Sequence, residues 1–291
     1  MASVNKVTVQ AFAKINLDLR VLGLRPDGYH ELRTTFQSIA LADVLTFTRT
    51  RGPFRIECDD PSCPTDSSNL IWKAAELIVK LARRRGALFG VTVRLEKNIP
   101  MQAGLGGGSS DAAAALRALS RLWRVKVSPE QLHHAAASLG ADVPYFLDGG
   151  TALGFHRGDL LFPLDDIARA WVVVVVPGFG VSTKEAFTWW DTDGGRPFQG
   201  RRRGPERPAR HLPSNDLQKV VAKRHPAVSR LVGVLKREGA FHASLSGSGS
   251  AVFGLFSRRV EAQAAACLLA GPRTFVTPTL TRRECRRLAA K

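Results

Sequence analysis

Between Pro100 and Leu116 the chain reads Pro-Met-Gln-Ala-Gly-Leu-Gly-Gly-Gly-Ser-Ser-Asp-Ala-Ala-Ala-Ala-Leu, and this run constrains the fold more than any other. Gly104, Gly106, Gly107 and Gly108 admit positive φ and let the backbone approach a ligand with no side chain between. Ser109, Ser110 and Asp111 are residue types that cap helices, and the alanine-rich run after them predicts a helix over Ser110–Trp123. Upstream, Val91–Lys97 alternates as a strand. Strand, glycine loop and helix, in that order, present unpaired N–H groups and the positive end of a helix dipole to a phosphate.

The two best-known phosphate motifs do not fit. A P-loop ends in Gly-Lys-Ser/Thr, whereas Gly108 is followed by Ser109-Ser110-Asp111. The dinucleotide fingerprint would start at Gly104 and require glycine where Ser109 stands, and no acidic residue closes a second strand beyond it. A glycine hairpin leading into a packed helix is the plainer reading. Glycine at four of the five positions from Gly104 to Gly108, before a Ser-Ser pair, favours the phosphate.

The chain has 291 residues, 44% of them hydrophobic, enough for two domains with their own cores. Its net charge of +17 favours anionic partners: a charged nucleotide substrate, a nucleic acid or a membrane surface. Part of the excess is local, in Arg201–Arg210 and Arg282–Arg287. The first of these sits in a Gly/Pro-rich stretch between Asp193 and Pro213 and reads as a solvated loop, since it lacks the interleaved aromatics of a nucleic-acid module. Cys58, Cys63, Cys267 and Cys285 form no Cys-x-x-Cys or Cys/His zinc pattern and read as reduced thiols of a cytoplasmic protein. Trp171–Pro177, the longest apolar run, is too short to span a membrane, and the N-terminus reads as a strand instead of a signal peptide.

Val7 to Leu22 alternates with unusual regularity. Val7, Val9, Ala11, Ala13, Ile15, Leu17, Leu19 and Val21 share one face, and Thr8, Gln10, Phe12, Lys14, Asn16, Asp18 and Arg20 the other, which predicts one or two strands with a single buried face. Arg25–Gly28 is a turn. Two strands follow, near Thr34–Leu41 and Val44–Thr48, then a helix over Asn69–Arg85. A second helix over Pro129–Leu139 follows the cap Ser128, and Thr151–His156 and Leu160–Phe162 are extended. The second half offers a buried strand (Val172–Val176), a capping box at Ser182–Glu185, a helix capped at Asn215-Asp216, a helix over Pro226–Arg237, strands at Ala243–Leu245 and Ala251–Phe256, a helix over Val260–Leu269 and a strand over Thr274–Leu280. This mixed order, with hairpins, predicts an α+β fold and not a doubly wound parallel sheet.

Three further groups of residues bear on chemistry. A second glycine turn, Ser246-Gly-Ser-Gly-Ser250, reads alone as a tight hairpin, but beside an independent phosphate loop it reads as a second cradle. Lys14 and Asp142 are ordinary in isolation, as a strand-face lysine and a helix cap. If they meet in space they supply a cation and a carboxylate, which is what phosphoryl transfer to an alcohol needs beyond a phosphate cradle. Tyr29 and His30 follow the Asp27-Gly28 turn, where packed aromatics and a base-stacking platform are both open readings.

Together, Ala13-Lys-Ile-Asn-Leu17, Asp27-Gly-Tyr-His30, the Gly104–Ser110 loop, Gly140-Ala-Asp-Val-Pro144 and Leu245-Ser-Gly-Ser-Gly-Ser250 resemble the GHMP kinase superfamily, in order and over nearly the whole chain. The resemblance implies an N-terminal domain (1–160) with the fold of a small-subunit ribosomal protein, which binds nucleotide, and a ferredoxin-like C-terminal domain (161–291), which binds substrate. It implies ATP and Mg²⁺, with Asp142 the general base and Lys14 its partner. Pro100, Gly104, Leu105, Gly106, Gly107, Gly108, Ser109 and Ser110 would bind the ATP phosphates, with Ser110 a candidate Mg²⁺ ligand. Asn69, Leu70 and Lys97 would lie near the adenosine. Asn16, Gly247, Ser248 and Gly249 would contact the acceptor. The Lys-Ile-Asn-Leu and Arg-x-Asp-Gly-Tyr-His elements point within the family to an acceptor carrying a cytidine diphosphate, phosphorylated on the 2-hydroxyl of its methylerythritol. Tyr29 and His30 would hold its cytosine, with Phe187 opposite. A sister kinase of the homoserine or mevalonate type is the nearest alternative, and an RNA-binding protein on the same fold a distant one. A cytoplasmic monomer or weak homodimer is expected, free of nucleic acid and membrane. Gln102 departs from the family pattern, which has glycine there, and the arginine-rich stretch Arg196–Arg210 belongs to no motif.

Overall fold

The computed structural model describes residues 5–82, 90–195, 214–269, 271 and 273–289; the arginine-rich stretch lies outside them. Two long antiparallel strands, β1 (Lys6–Leu24) and β2 (His30–Arg49), organise the molecule. They are joined through the Arg25–Gly28 turn, where the Asp27 carboxylate accepts from the Tyr29 N–H and from Arg25. β2 is one strand where the sequence predicts two. The interruption near Ala42 is a register shift opposite Phe12/Ala13, and two more shifts fall at Asn16/Asp18 and Val21/Gly23. Each such irregularity re-aims the side chains that follow it.

The single buried face predicted for β1 therefore does not hold. Phe12 to Asn16 are buried on both faces. The predicted apolar face also feeds three separate cores. Val7, Val9 and Ala11 pack with α1 (Leu70–Leu81) and α2 (Gly107–Trp123). Ala13 and Ile15 pack against the second sheet, and Leu19 and Val21 against the C-terminal helices. A period of two records alternation and not which layer lies opposite.

The first sheet has the order β3-β4-β2-β5-β6, with β1 on β2. It adds β3 (Arg55–Cys58), parallel to β4 (Val91–Glu96), and the antiparallel β5 (Thr151–His156) and β6 (Leu160–Pro163). Sequence reading misses β3 and the short α4 (Tyr145–Asp148), because each spans about one turn or two residue pairs. α1, α2 and α3 (Pro129–Leu139) cover one face. Leu116, Leu119 and Leu122 of α2 are fully buried, and cutting any one to alanine would cost about 2–5 kcal/mol.

The second sheet has the order β10-β7-β9-β8, all antiparallel. Its strands are β7 (Trp171–Val176), β8 (His242–Leu245), β9 (Val252–Phe256) and β10 (Arg273–Pro278). Between β7 and β8 come α5 (Thr183–Thr192), α6 (Asp216–Arg224) and α7 (Ala227–Arg237), and α8 (Arg259–Cys267) links β9 to β10. This is the ferredoxin-like order. The unbroken valine run of β7 is explained by burial on both faces: Val173 and Val175 face the helices, Val172 and Val174 face Ile15 and Ile39. The sheets meet where Ile39 bridges Thr279 and the Leu280 N–H donates to Ser38 O, and β1 reaches the start of α6 where the Leu19 N–H donates to Ser214 O. The charge run at Arg282–Arg287 forms a helix, α9 (Arg282–Leu288), capped by Thr281 and anchored by buried Cys285.

Candidate active site

The register shifts bracket Lys14 and Asn16. The Lys14 N–H donates to Leu105 O at 3.0 Å, tying β1 to the glycine loop. Its side chain is only 4% exposed, and Nζ stands 3.5 Å from Asp142 Oδ2. Nζ also donates to Asn16 Oδ1 at 2.6 Å and lies 5.5 Å from the centre of the Phe36 ring. Asn16 is fixed in turn: its amide donates to Thr34 Oγ1 at 2.7 Å, and that hydroxyl donates to Asp18 O at 2.7 Å. The ammonium is thus held from behind by a chain of hydrogen bonds, while Asp142, 33% exposed, keeps access to a ligand. Asp142 is not a helix cap; Pro144 occupies the cap position of α4 with no side-chain bond.

The two glycine turns lock together over this pair. Ser246 Oγ donates to Gly104 O at 2.9 Å, and the Ala251 N–H to Ala103 O at 3.1 Å. Gly104 has φ +74°, and a Cβ there would collide with the Ser246 carbonyl oxygen. Gly106, with φ +73°, is the cap of α2, and a Cβ on it would meet the Phe146 ring and lie 3.3 Å from Lys14 Cε. A Cβ on Gly247 would lie 3.4 Å from Lys14 Nζ. Both loops therefore close on the end of the same lysine side chain. The hairpin reading of Ser246–Ser250 also holds, since β8 and β9 pair on either side of it. Ser248 makes a 3.2 Å hydrogen bond to Thr183 at the start of α5.

α2 begins three residues earlier than the predicted Ser110, because Gly107 and Gly108 enter its first turn. It has no side-chain cap. The helix start leaves the N–H groups of Gly107, Gly108 and Ser109 without intrahelical acceptors, and apart from its chain neighbours and the local helix backbone no described atom lies within 4 Å of the Cβ position of Gly108. Ser110 and Asp111, read from sequence as cap residues, turn inward. Ser110 Oγ donates to Phe12 O at 2.7 Å, and Asp111 accepts from Lys97 at 2.8 Å. Leu105 is buried against the second sheet, and Pro100 is half-buried at the entrance to the loop.

Lys97 lies beneath Gly107, whose Cβ position is 3.1 Å from Nζ. Its side chain is 3% exposed and bridges Asp43 and Asp111. Burial opposes the Lys97 charge, but Asp111 and Asp43 outweigh it and raise its pKa to about 12. Burial raises Asp111 to about 8 against the pull of Lys97, with Asp43 adding repulsion. One cation is shared by two buried carboxylates, and burial together with Asp43 favours the protonated form of Asp111. Asn69 caps α1 by accepting from the Ile71 N–H at 2.8 Å, and half-buried Leu70 packs against the core.

At the far end of β2, Tyr29 is exposed with the Arg157 guanidinium 5.2 Å from its ring centre. His30 is buried. It stacks on Phe187 with ring centres 4.6 Å apart, meets the edge of Trp190 and hydrogen-bonds Asp191 Oδ1 at 2.8 Å through Nε2. His30 and α5 thus form one aromatic cluster with Phe187 and Trp190, and Tyr29 stands exposed beside it in sequence, under Arg157.

Two family models match: "GHMP kinases N terminal domain" over residues 69–150 and "GHMP kinases C terminal" over residues 199–270. The chain belongs to the GHMP kinase family. This GHMP kinase is 42% identical to the 4-diphosphocytidyl-2-C-methyl-D-erythritol kinase of Moorella thermoacetica, over 94% of this chain and 99% of that one. It is 40% identical to the enzyme of the same name from Solibacter usitatus, over 99% and 93%. A crystal structure of a 4-(cytidine 5'-diphospho)-2C-methyl-D-erythritol kinase superposes with a TM-score of 0.77 at 34% identity, over 94% of this chain and 98% of that one. The protein is an ATP-dependent kinase with the two-domain architecture of its family.

Sequence reading of this kinase misses Thr34 and Phe146, which shape the lysine pocket, and Asp43, Arg157, Trp190 and Asp191, which hold Lys97 and the aromatic cluster. No local pattern marks them, because each acts through a partner distant in sequence. Asp111 is the exception: its place beside the glycine loop is a local signal, but its residue type reads as a cap.

Proposed function

We propose that this kinase transfers the γ-phosphoryl group of ATP to the 2-hydroxyl of 4-diphosphocytidyl-2-C-methyl-D-erythritol. One observation carries the reading: Lys14 Nζ, 3.5 Å from Asp142, stands beneath two interlocked glycine turns, so a cation, a base and a phosphate cradle share one space. The relatives' names supply the acceptor, and the exposed Tyr29 ring and the stacked His30–Phe187 pair offer a cytosine aromatic surface.

In this mechanism the Gly104–Ser109 backbone holds the ATP phosphates at the start of α2. The acceptor oxygen attacks the γ-phosphorus, the bond to the ADP oxygen breaks, and the hydroxyl proton passes to Asp142. Lys14 stabilises the negative charge that builds on the transferring group. Asn16 and the Gly247–Gly249 turn position the methylerythritol portion. Tyr29 and Phe187 hold the base, with His30 set by Asp191. Asn69 and Leu70 border the adenosine, and Lys97 supports the loop from below. The acceptor site draws on both sides of the division near residue 160: Asn16, Tyr29, His30 and Asp142 precede it, and Phe187 and the Gly247–Gly249 turn follow it.

The fit for magnesium is of the phosphate-borne kind. Ser110 is buried and donates to Phe12 O, and the described residues hold no group of three His, Cys, Asp or Glu suited to a metal. Mg²⁺ would arrive on the ATP phosphates, ligated chiefly by their oxygens and water, with Asp142 the adjacent carboxylate; when bound it neutralises phosphate charge. The test is phosphoryl transfer from ATP to the cytidyl substrate, to homoserine and to mevalonate. Turnover of the cytidyl substrate alone is expected; turnover of either other alcohol without it would overturn the assignment.

A further inference from the structure

A cavity of about 140 Å³ lies along the face of α2 that carries Ser110, Ala114, Arg117 and Arg121, against the first half of β1, α4 and α9. Val9, Ala11, Ala114, Ala118, Phe146 and Ala289 give it apolar walls. Arg117 lines it from the middle of α2, Arg121 from the next turn and Arg286 from α9, against one carboxylate among the described residues, that of Asp148. That carboxylate is already engaged by Arg286 at 2.8 Å and by His133 at 3.4 Å.

Arg117 is the unusual member. Its guanidinium is half-buried and donates to the Leu147 carbonyl, and no ion pair is formed by it among the described residues. Burial and the neighbouring Arg286 both disfavour its charge, which Asp148 only partly offsets. A cation desolvated beside an apolar cavity is costly unless an anion joins it. Apolar protein cavities of about 150 Å³ hold a benzene-sized body, which sets the size of what fits.

We infer that this cavity is a second ligand site, for a small amphiphilic anion: a phosphate or carboxylate head on Arg117, with an apolar body of about five carbons against α2 and β1. The site is joined to the phosphate loop through α2, a hydrogen bond and a ring contact. The helix that carries Arg117 starts at Gly107, Ser110 lines the cavity while bonded to Phe12 O, and the Phe146 ring both lines the cavity and abuts Gly106.

The test titrates the full chain, saturated with a non-hydrolysable ATP analogue and cytidyl substrate, with n-pentyl phosphate, pentanoate, inorganic phosphate and pentan-1-ol in a calorimeter. Saturable 1:1 binding of pentyl phosphate or pentanoate is expected, about tenfold or more tighter than either inorganic phosphate or the alcohol. The better of the two amphiphiles identifies the head group. Arg117→Met is expected to weaken it about tenfold with kcat unchanged, and Ala114→Leu, which fills the cavity and spares the guanidinium, to weaken it likewise. Should Arg117→Met fail to fold, Ala114→Leu decides. No binding by either amphiphile, equal binding of inorganic phosphate, or unchanged affinity in the folded variants would overturn the site.

Discussion

Lys14 Nζ and Asp142 Oδ2 stand 3.5 Å apart, the lysine almost fully buried and the aspartate open on one side. The asymmetry suits a base that must reach a substrate and a cation that must stay in place. Asp142→Asn keeps the shape and removes the proton acceptor. It is expected to lower kcat by about 100-fold or more while leaving KM for ATP within about twofold. Single-turnover kinetics check this, and near-normal turnover would remove Asp142 as the base.

Gly104→Ala places a methyl group against the Ser246 carbonyl oxygen in a left-handed backbone conformation. The conformation alone costs about 1–2 kcal/mol, and the collision forces the two glycine turns apart. A fall in Tm of about 4 °C or more and a raised KM for ATP are expected together. An unchanged KM would mean that the interlocking of the turns does not shape the phosphate cradle.

Tyr29→Ala and Phe187→Ala are expected to raise KM for the cytidyl substrate about tenfold, as loss of base stacking does, with little effect on KM for ATP. Phe187 stacks on His30, so its loss also frees that ring. Equal KM changes for both substrates would argue for a general disturbance of α5.

Asp111→Asn tests the buried triad with Lys97 and Asp43. Asp111 has its pKa raised by burial to about 8, so the folded protein holds a proton there that the unfolded chain releases near pH 4. Stability from this group is therefore present at low pH and lost as pH rises from about 4 to about 8. The asparagine variant carries no such titration. Its Tm relative to the parent is expected to climb over that interval and level off above it, as differential scanning calorimetry would record. A pH-independent offset would sink the assignment.

Gln102 has φ +52°, in the left-handed region that favours glycine. The strain of about 1–2 kcal/mol exceeds the added chain entropy of glycine, about 0.5–1 kcal/mol. Gln102→Gly is expected to raise Tm by about 1–2 °C. A lower Tm would show that Gln102, whose Oε1 lies 3.1 Å from the Cβ position of Gly180, contributes more by packing there than its backbone costs.

Much of this protein is legible locally. Ser128, Ser182 and Asn215 announce their helices because a cap and its periodic run lie within a few residues. The valine run of β7 announces a strand buried on both faces, and the Gly104–Gly108 loop before α2 announces a phosphate cradle, because each is a contiguous segment whose chemistry needs no distant partner. What the sequence did not contain was the reach of those segments. Ser110 and Asp111 have the chemistry of caps, yet two glycines ahead of them extend the helix and turn both inward. Lys14 and Asn16 alternate as solvent-facing residues, yet the shifts in the β1–β2 register and the second sheet bury them. Asp142 meets Lys14, and Ser246 bonds Gly104 across 142 residues, only through the stacking of two sheets. Short-range period and capping chemistry are written residue by residue and so could be read directly. The pairing of a lysine with its carboxylate depends on bulge positions and on which layer packs opposite, and those are properties of the assembled fold.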